Sequence, residues 1–329
     1  MNRLTVCLAA LATSTLLLSG CAAASAPAAM PAETPAAGAG YPVTALNCDR
    51  VVTVESAPER IVSIKSSATE LLLALGVGDR IVGSAFLDGP LPESLETTGA
   101  DLNVISDFLP GQEAVLGLNP DFIYGGWESN FTADGAGERD ALDTLGVGTY
   151  VSPAACKGEQ MPNPLTFDTV FSEIEEAGAI FGAAPAAADL VSTLRNELAT
   201  LEPTSTDTSA LWYSSGTTTP YVGAGIGSPE MIMKAAGLSN IFSDVSDTWT
   251  SVGWESVIEA NPSVIVLVDA TWNTAASKIA HLESDPATQV LDAVKNQRYI
   301  ILPFASTEAG IRNVEAASSA ITQLADLNE

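Results

Sequence analysis

Glu113-Ala-Val-Leu-Gly-Leu-Asn119-Pro120-Asp-Phe-Ile123 is matched without a gap by Glu255-Ser-Val-Ile-Glu-Ala-Asn261-Pro262-Ser-Val-Ile265. In both copies a glutamate opens a short helical pattern, an Asn-Pro turn closes it, and an apolar strand begins. A looser match pairs Glu70-Leu-Leu-Leu-Ala-Leu-Gly76 with Glu230-Met-Ile-Met-Lys-Ala-Ala-Gly237, one residue longer. The repeat predicts two similar lobes.

Working outward, Ile61 to Ile64, Ile81 to Ser84, Phe122 to Gly125 and Val147 to Val151 read as strands. Helical spacing separates them at Thr69 to Leu75, Gln112 to Leu118 and Arg139 to Leu145. The same order resumes after Ala210, with strands at Ala210 to Ser214, Val264 to Val268 and Tyr299 to Leu302. Strands alternating with helices predict an α/β fold with parallel-type central sheets flanked by helices. Between the halves, Pro185 opens a long helical pattern to about Leu201. At ~1.5 Å per residue it would run roughly 25 Å, a stiff strut. The expected organisation is an N-terminal lobe over 43–184, an interlobe helix over 185–203 and a C-terminal lobe over 204–329.

The amino terminus reads as an export signal. Asn2-Arg3 precedes an apolar run from Leu4 to Leu18, and Leu18-Ser19-Gly20-Cys21 closes it. The run is shorter than the ~20 residues of a membrane-spanning helix. Leu-Ser-Gly-Cys resembles the bacterial lipobox, which implies cleavage after residue 20 and acyl chains on Cys21. Residues 21–42, mostly Ala, Pro, Gly, Ser and Thr, read as a flexible tether. The implied location is the extracytoplasmic face of the cytoplasmic membrane, held by the lipid.

Hydrophobic residues make up 47% of the chain, enough for a packed core. Forty acidic against 13 basic residues give a formal net charge of −27. Such a surface repels phosphate backbones and excludes nucleic acid as a partner. With Cys7 in the signal and Cys21 lipidated, Cys48 and Cys156 remain. An even pair in an exported chain favours a disulfide, the alternative being two separate buried thiols. One histidine, His281, cannot supply the imidazoles of a zinc or manganese site, so no metal site or cofactor is expected. No G-x-S-x-G elbow is present, and Gly223-x-Gly225-x-Gly227 lacks dinucleotide spacing.

Ala57-Pro58-Glu59-Arg60-Ile61-Val62-Ser63-Ile64, Ala68-Thr69-Glu70-Leu71-Leu72-Leu73-Ala74-Leu75-Gly76 and Asn119-Pro120-Asp121-Phe122-Ile123 resemble the hallmarks of the iron-siderophore and cobalamin family. These are substrate-binding proteins of ABC importers, with two lobes joined by one long helix and the ligand cleft between them. The resemblance runs from about Val43 to Leu327. It implies a monomeric binding protein rather than an enzyme, serving a permease dimer and its ATPase. Ala210 to Gly216 and Asp247 to Glu255 are also similar to an actinobacterial subgroup described as importers of a deazaflavin cofactor precursor. An exported enzyme and a ligand-free surface module stand as rival readings.

In this family a glutamate on each lobe meets arginines of the permease, and the matching positions here are Glu113 and Glu255. Each also fits as a helix-start carboxylate favoured by the helix dipole. The ligand is expected at loops after the carboxyl ends of the strands. Those loops offer Ser66, Ser67, Phe86, Phe108 and Trp127 in the first lobe, and Tyr213, Tyr221, Trp249, Trp272 and Arg312 in the second. Glu128, Asn130, Ser214 and Asn273 lie among them. Trp254 lies beside such a loop, but it and Trp212 also read as core residues. An anionic, ring-containing ligand is expected, stacked near Trp249 and held by Arg312.

Overall fold

The computed structural model describes residues 40–161, 163–203 and 207–329. The expected signal segment, Cys21 and the tether up to residue 39 lie outside the described residues. Among the described residues no helix is long and apolar enough to cross a membrane.

The first half opens with an antiparallel pair, β1 (Val43–Leu46) and β2 (Val51–Val54). There follow β3 (Ile61–Ile64), α1 (Ser66–Ala74), β4 (Ile81–Ala85), α2 (Glu93–Glu96), β5 (Val104–Ser106) and α3 (Gln112–Leu116). β6 (Phe122–Gly125), α4 (Arg139–Thr144) and β7 (Gly148–Val151) complete it. The five-stranded sheet has the order β5-β4-β3-β6-β7 and is parallel throughout. β3 and β6 are buried at every position, as central parallel strands covered on both faces must be.

Two helices, α5 (Phe167–Ile180) and α6 (Ala184–Ala199), connect the halves. Thr166 caps α5 by accepting from the Thr169 amide. The helices pair closely: a β-carbon at Gly178 would lie 2.3 Å from that of Ala187. The helical pattern that Pro185 opens is α6, which ends at Ala199 and is about 24 Å long at ~1.5 Å per residue. The sequence reading missed α5, the helix folded back against it, and the β1–β2 pair.

The second half comprises β8 (Thr208–Ser215), β9 (Tyr221–Gly223), α7 (Ser228–Ala235), β10 (Leu238–Asn240), β11 (Trp249–Ser251), α8 (Trp254–Ala260) and β12 (Val264–Asp269). It ends with α9 (Ala275–Ser284), α10 (Asp292–Lys295), β13 (Tyr299–Pro303), α11 (Phe304–Thr307) and α12 (Asn313–Asp326). Its sheet runs β11-β9-β8-β12-β13, with β10 also beside β8. β10, β8, β12 and β13 are parallel, whereas β9 and β11 form an antiparallel flap.

The sequence repeat has a structural counterpart. β6 lies between β3 and β7 as β12 lies between β8 and β13. Gly111 and Gly253 precede α3 and α8 in extended conformation. Asn119 and Asn261 both take left-handed backbone, at φ 50° and 39°. Asparagine tolerates that conformation better than other side-chain-bearing residues, and the proline that follows cannot continue a helix. The largest apolar cluster joins the halves, running from Ile61, Leu72 and Phe122 to Trp212, Val264 and Leu324. Opening the lobes widely would expose this shared core to water, which opposes it.

Candidate functional site

A cavity of about 790 Å³ opens where the carboxyl ends of the two parallel sheets converge. Ser67 follows β3, Trp127 follows β6 and Ser152 follows β7. From the second half come Ser214 at the end of β8, Trp272 after β12, and Phe304 and Glu308 after β13. Side chains beyond strand ends have no ladder neighbour there and are free to line a crevice.

Each aromatic wall has a local cause. Trp127 stands after Gly125-Gly126, and its amide donates to the Asn130 side chain at 2.9 Å. A β-carbon at Gly126 would lie 2.7 Å from the Lys65 Cβ and 2.8 Å from the Ser67 hydroxyl, so only glycine lets this turn pass. Tyr221 and Trp249 come from the flap, where Tyr221 pairs with Ser251 and Trp249 with Gly223. Two residues out of register, their rings share one face and stack at 5.9 Å with planes 15° apart. Trp272 rides a loop fastened by the buried Lys278, whose ammonium donates to the Val268 carbonyl and, at 2.7 Å, to that of Asn273. Burial pulls Lys278 down to about 8, against the opposing pull of Asp269. Phe304 touches the edges of both Trp272 and Trp127, at 5.5 and 6.2 Å.

Charges are distributed unevenly. Behind Trp127 the fully buried Lys65 is paired with Asp88, also fully buried. Its ammonium lies 3.8 Å from the Trp127 ring, 4.1 Å from Phe86 and 4.8 Å from Phe304. Burial lowers the Lys65 pKa and raises that of Asp88, while their mutual attraction opposes both shifts. Trp127 Nε1 donates to Glu308 Oε2 at 2.7 Å, a bond between the two lobes. A second interlobe link joins Arg312 to Glu70 at 3.4 Å.

Glu70 is 1% exposed, and its second carboxylate oxygen has no hydrogen-bond partner. Burial pushes its carboxyl up to about 7, against the pull of Arg312. A carboxyl raised above its ordinary value stabilises the fold fully below about pH 4.5, and loses that contribution as pH rises through about 7. Glu70→Gln cannot ionise, and Arg312 retains Glu315. The variant is therefore expected to gain on wild type between about pH 5 and pH 8, by on the order of 2 kcal/mol. Urea denaturation at both ends measures this, and a pH-independent difference would show that Glu70 is charged throughout.

Of the ten ligand contacts expected from sequence, Ser67, Trp127, Tyr221, Trp249 and Trp272 line the cavity. The others do not. Ser66 is buried, and its hydroxyl oxygen accepts from the Asp88 amide at 2.8 Å. Phe86 packs behind Trp127 at 5.6 Å, and Phe108 is 64% exposed outside the cavity. Tyr213 belongs to the second lobe's core, edge-on to Trp254 at 5.4 Å, with its hydroxyl donating to Gly216 O. Trp212 is also fully buried.

Arg312 is the main correction. It is 8% exposed and lies outside the cavity, held by Glu70 and by both oxygens of Glu315 at 3.1 and 3.2 Å. A buried guanidinium needs carboxylates to offset its lost hydration, and two chain carboxylates already fill that need. The sequence reading missed Phe304 and Glu308, although both follow the strand it assigned at Tyr299 to Leu302. It also missed Lys157 at the rim.

Cys48 and Cys156 are joined by a disulfide. It ties the β1–β2 turn to the loop carrying Ala154, Ala155 and Lys157 of the cavity wall. Glu113 and Glu255 lie in the first turns of α3 and α8, both exposed and both outside the cavity. Among the described residues no group of His, Cys, Asp and Glu could hold a metal ion.

The sequence profile of the periplasmic binding protein family matches residues 61–305. The chain belongs to this family. A cobalamin-binding protein of Halobacterium salinarum is 27% identical over 242 residues, covering 69% of this chain and 58% of its own length. The chain thus spans little more than half of that relative. The uncharacterized ABC transporter substrate-binding lipoprotein YvrC of Bacillus subtilis is 27% identical over 288 residues, covering 84% of this chain and 83% of its own. Among solved structures, that of an ABC-type Fe3+-hydroxamate transport system from Saccharomonospora viridis has a TM-score of 0.73 and 25% identity, covering 86% of this chain and 99% of its own. Periplasmic binding proteins of this kind carry two α/β lobes, the architecture described above.

Proposed function

We propose that this chain is the substrate-binding lipoprotein of an ABC importer, capturing a corrinoid or ferric chelate and presenting it to a membrane permease. The observation that carries the reading is the aromatic-walled cavity at the convergent strand ends of both lobes. Its volume falls within the ~300–1,000 Å³ of small-molecule sites, and apolar walls with few polar groups suit a ring or chelate framework. The names of the cobalamin-binding and Fe3+-hydroxamate relatives support these two ligand classes. Neither a deazaflavin precursor nor an exported enzyme gains support from the comparisons, and binding without turnover is the activity proposed.

Glu113 and Glu255 are proposed as the permease contacts. Two exposed carboxylates on repeat-related helices would let one rigid body engage a symmetric permease dimer through a matching pair of contacts. Glu113→Ala combined with Glu255→Ala is expected to preserve ligand affinity while lowering uptake, each lost contact costing ~1–3 kcal/mol of docking. Calorimetry with the ligand and pull-down with the permease test this. Normal transport by the double variant would remove the assignment.

The protein is proposed to act as a monomer anchored through lipid on Cys21 at the extracytoplasmic membrane face. Cys21→Ser is expected to abolish palmitate incorporation and release the protein from membranes. Continued labelling of the variant would refute the anchor.

A further inference from the structure

Resting on the binding-protein reading above, we propose that the cleft selects ligands bearing a cationic group, an ammonium or guanidinium, which Glu308 meets between the rings of Tyr221, Trp249 and Trp272. The first reason is the charge of the walls. Among the described residues lining the cavity, the charged ones are Glu128, Glu308 and Lys157. Lys157 is exposed at the rim, and Glu128 Oε2 accepts from its backbone amide at 2.9 Å. The buried cations nearby are already occupied, Lys65 by Asp88, Arg312 by Glu70 and Glu315, and Lys278 by the Val268 and Asn273 carbonyls. An anionic ligand would therefore meet one hydrated lysine at the entrance and a carboxylate within.

The second reason is what surrounds that carboxylate. Glu308 is half-buried and uses one oxygen on Trp127. An ionised carboxylate accepts up to about four hydrogen bonds, so capacity for a ligand donor remains. Its charge helps hold the Tyr221 hydroxyl above its ordinary pKa, after burial and Asp247, which places the carboxylate within electrostatic reach of the flap aromatics. Aromatic faces attract cations through their quadrupole, and a carboxylate beside them adds a directed, charge-assisted bond. Burial raises the pKa of Glu308 itself, opposed by Lys65 and the Trp127 bond. A ligand cation would favour its charged form. The net charge of −27 also draws cations toward the molecule from a distance.

Charge variants of a single framework separate this inference from the general one. The ferric complex of a linear trihydroxamate with a free amine is cationic; its N-acetyl form is neutral and its N-succinyl form anionic. A corrinoid with its phosphate-linked nucleotide, and the same corrinoid without it, form a second set. Each is titrated by tryptophan quenching and calorimetry. Within at least one set, the most positive member should bind about 10-fold or more tighter than the most negative. Glu308→Gln, which keeps an acceptor for Trp127, should weaken the cationic member about 10-fold and the neutral one less than about 3-fold. Lys157→Ala, at an exposed site, should weaken anionic members and leave cationic ones unchanged or tighter. Equal or tighter binding of the anionic members, or a uniform loss in Glu308→Gln, would overturn the inference while leaving the binding-protein reading intact. If no member of either set binds protein shown by thermal melting to be folded, the proposed ligand classes fail and this inference falls with them.

Discussion

Replacing both Cys48 and Cys156 by serine is expected to lower the free energy of unfolding by about 2–4 kcal/mol. The bond closes a loop between residues 108 apart, so its loss returns much chain freedom to the unfolded state. It also loosens the turn of the β1–β2 pair, which carries Cys48. The β1–β2 pair is only two strands and could not stand alone. What remains to hold it is both apolar and polar: Ala45 and Val54 are buried in the main core, and Val43 and Val52 pack against it. Asn47 donates to Val151 O at 2.7 Å and accepts from its amide at 2.9 Å, while Arg139 donates to the Asn47 carbonyl and side chain at 3.0 Å. Burial pulls Arg139 down to about 10, leaving it charged at neutral pH. These bonds should keep the variant folded near neutral pH. Cys156 lies beside the rim residues Ala155 and Lys157, so ligand affinity should fall with stability. Urea denaturation of wild type and variant, each fully alkylated where reduced, gives the difference. A change below about 0.5 kcal/mol would mean that packing alone secures the hairpin.

Trp249→Ala is expected to weaken ligand binding by about 10- to 100-fold, from the loss of roughly 1.5–3 kcal/mol of ring contact. Trp249 is half-buried at the cavity wall and stacked on Tyr221. Removing it takes away one aromatic face and frees the Tyr221 ring that it orders. Trp249→Phe should retain much of the affinity, because a ring still covers Tyr221. Trp254→Phe serves as the contrasting case: its indole donates to Thr217 O at 2.6 Å within the second core. It should lower stability more than affinity. Calorimetry and quenching with a ferric trihydroxamate or a corrinoid provide the measurement. Wild-type affinity in Trp249→Ala would move the ligand away from the flap.

The repeat shows why so much of the architecture was legible along the chain. Asn119-Pro120 and Asn261-Pro262 impose the same local event, a left-handed residue followed by one that cannot continue a helix. Central strands such as Val264–Asp269 announce themselves as apolar runs because both faces are covered. Trp127 and Trp272 could be placed in the cleft by the strand-end rule, which is also a local property. The β1–β2 pair escaped notice because its strands are four residues each, and exposed Leu46 and Val51 blur the alternation that would mark a buried face. α5 was passed over although its buried Val170, Phe171, Ile174 and Ala177 follow helical spacing.

By itself, then, the chain's local chemistry determined α/β halves with parallel central strands, the helix α6, and the cavity positions of Ser67, Trp127 and Trp272 just after strands. The partners of the charges were decided only by the tertiary structure. Arg312 and Glu70 are 242 residues apart, Trp127 and Glu308 181 apart, and Lys65 and Asp88 23 apart. A guanidinium reads the same in a sequence whether it awaits an anionic ligand or is already held by carboxylates. The difference lies in burial, because a charge taken out of water must find its counter-charge among whatever the fold brings near. Glu315 is a local neighbour of Arg312, one helical turn on, but folding placed Glu70 beside Arg312 and Asp88 beside Lys65, and left Glu308 lining the cleft.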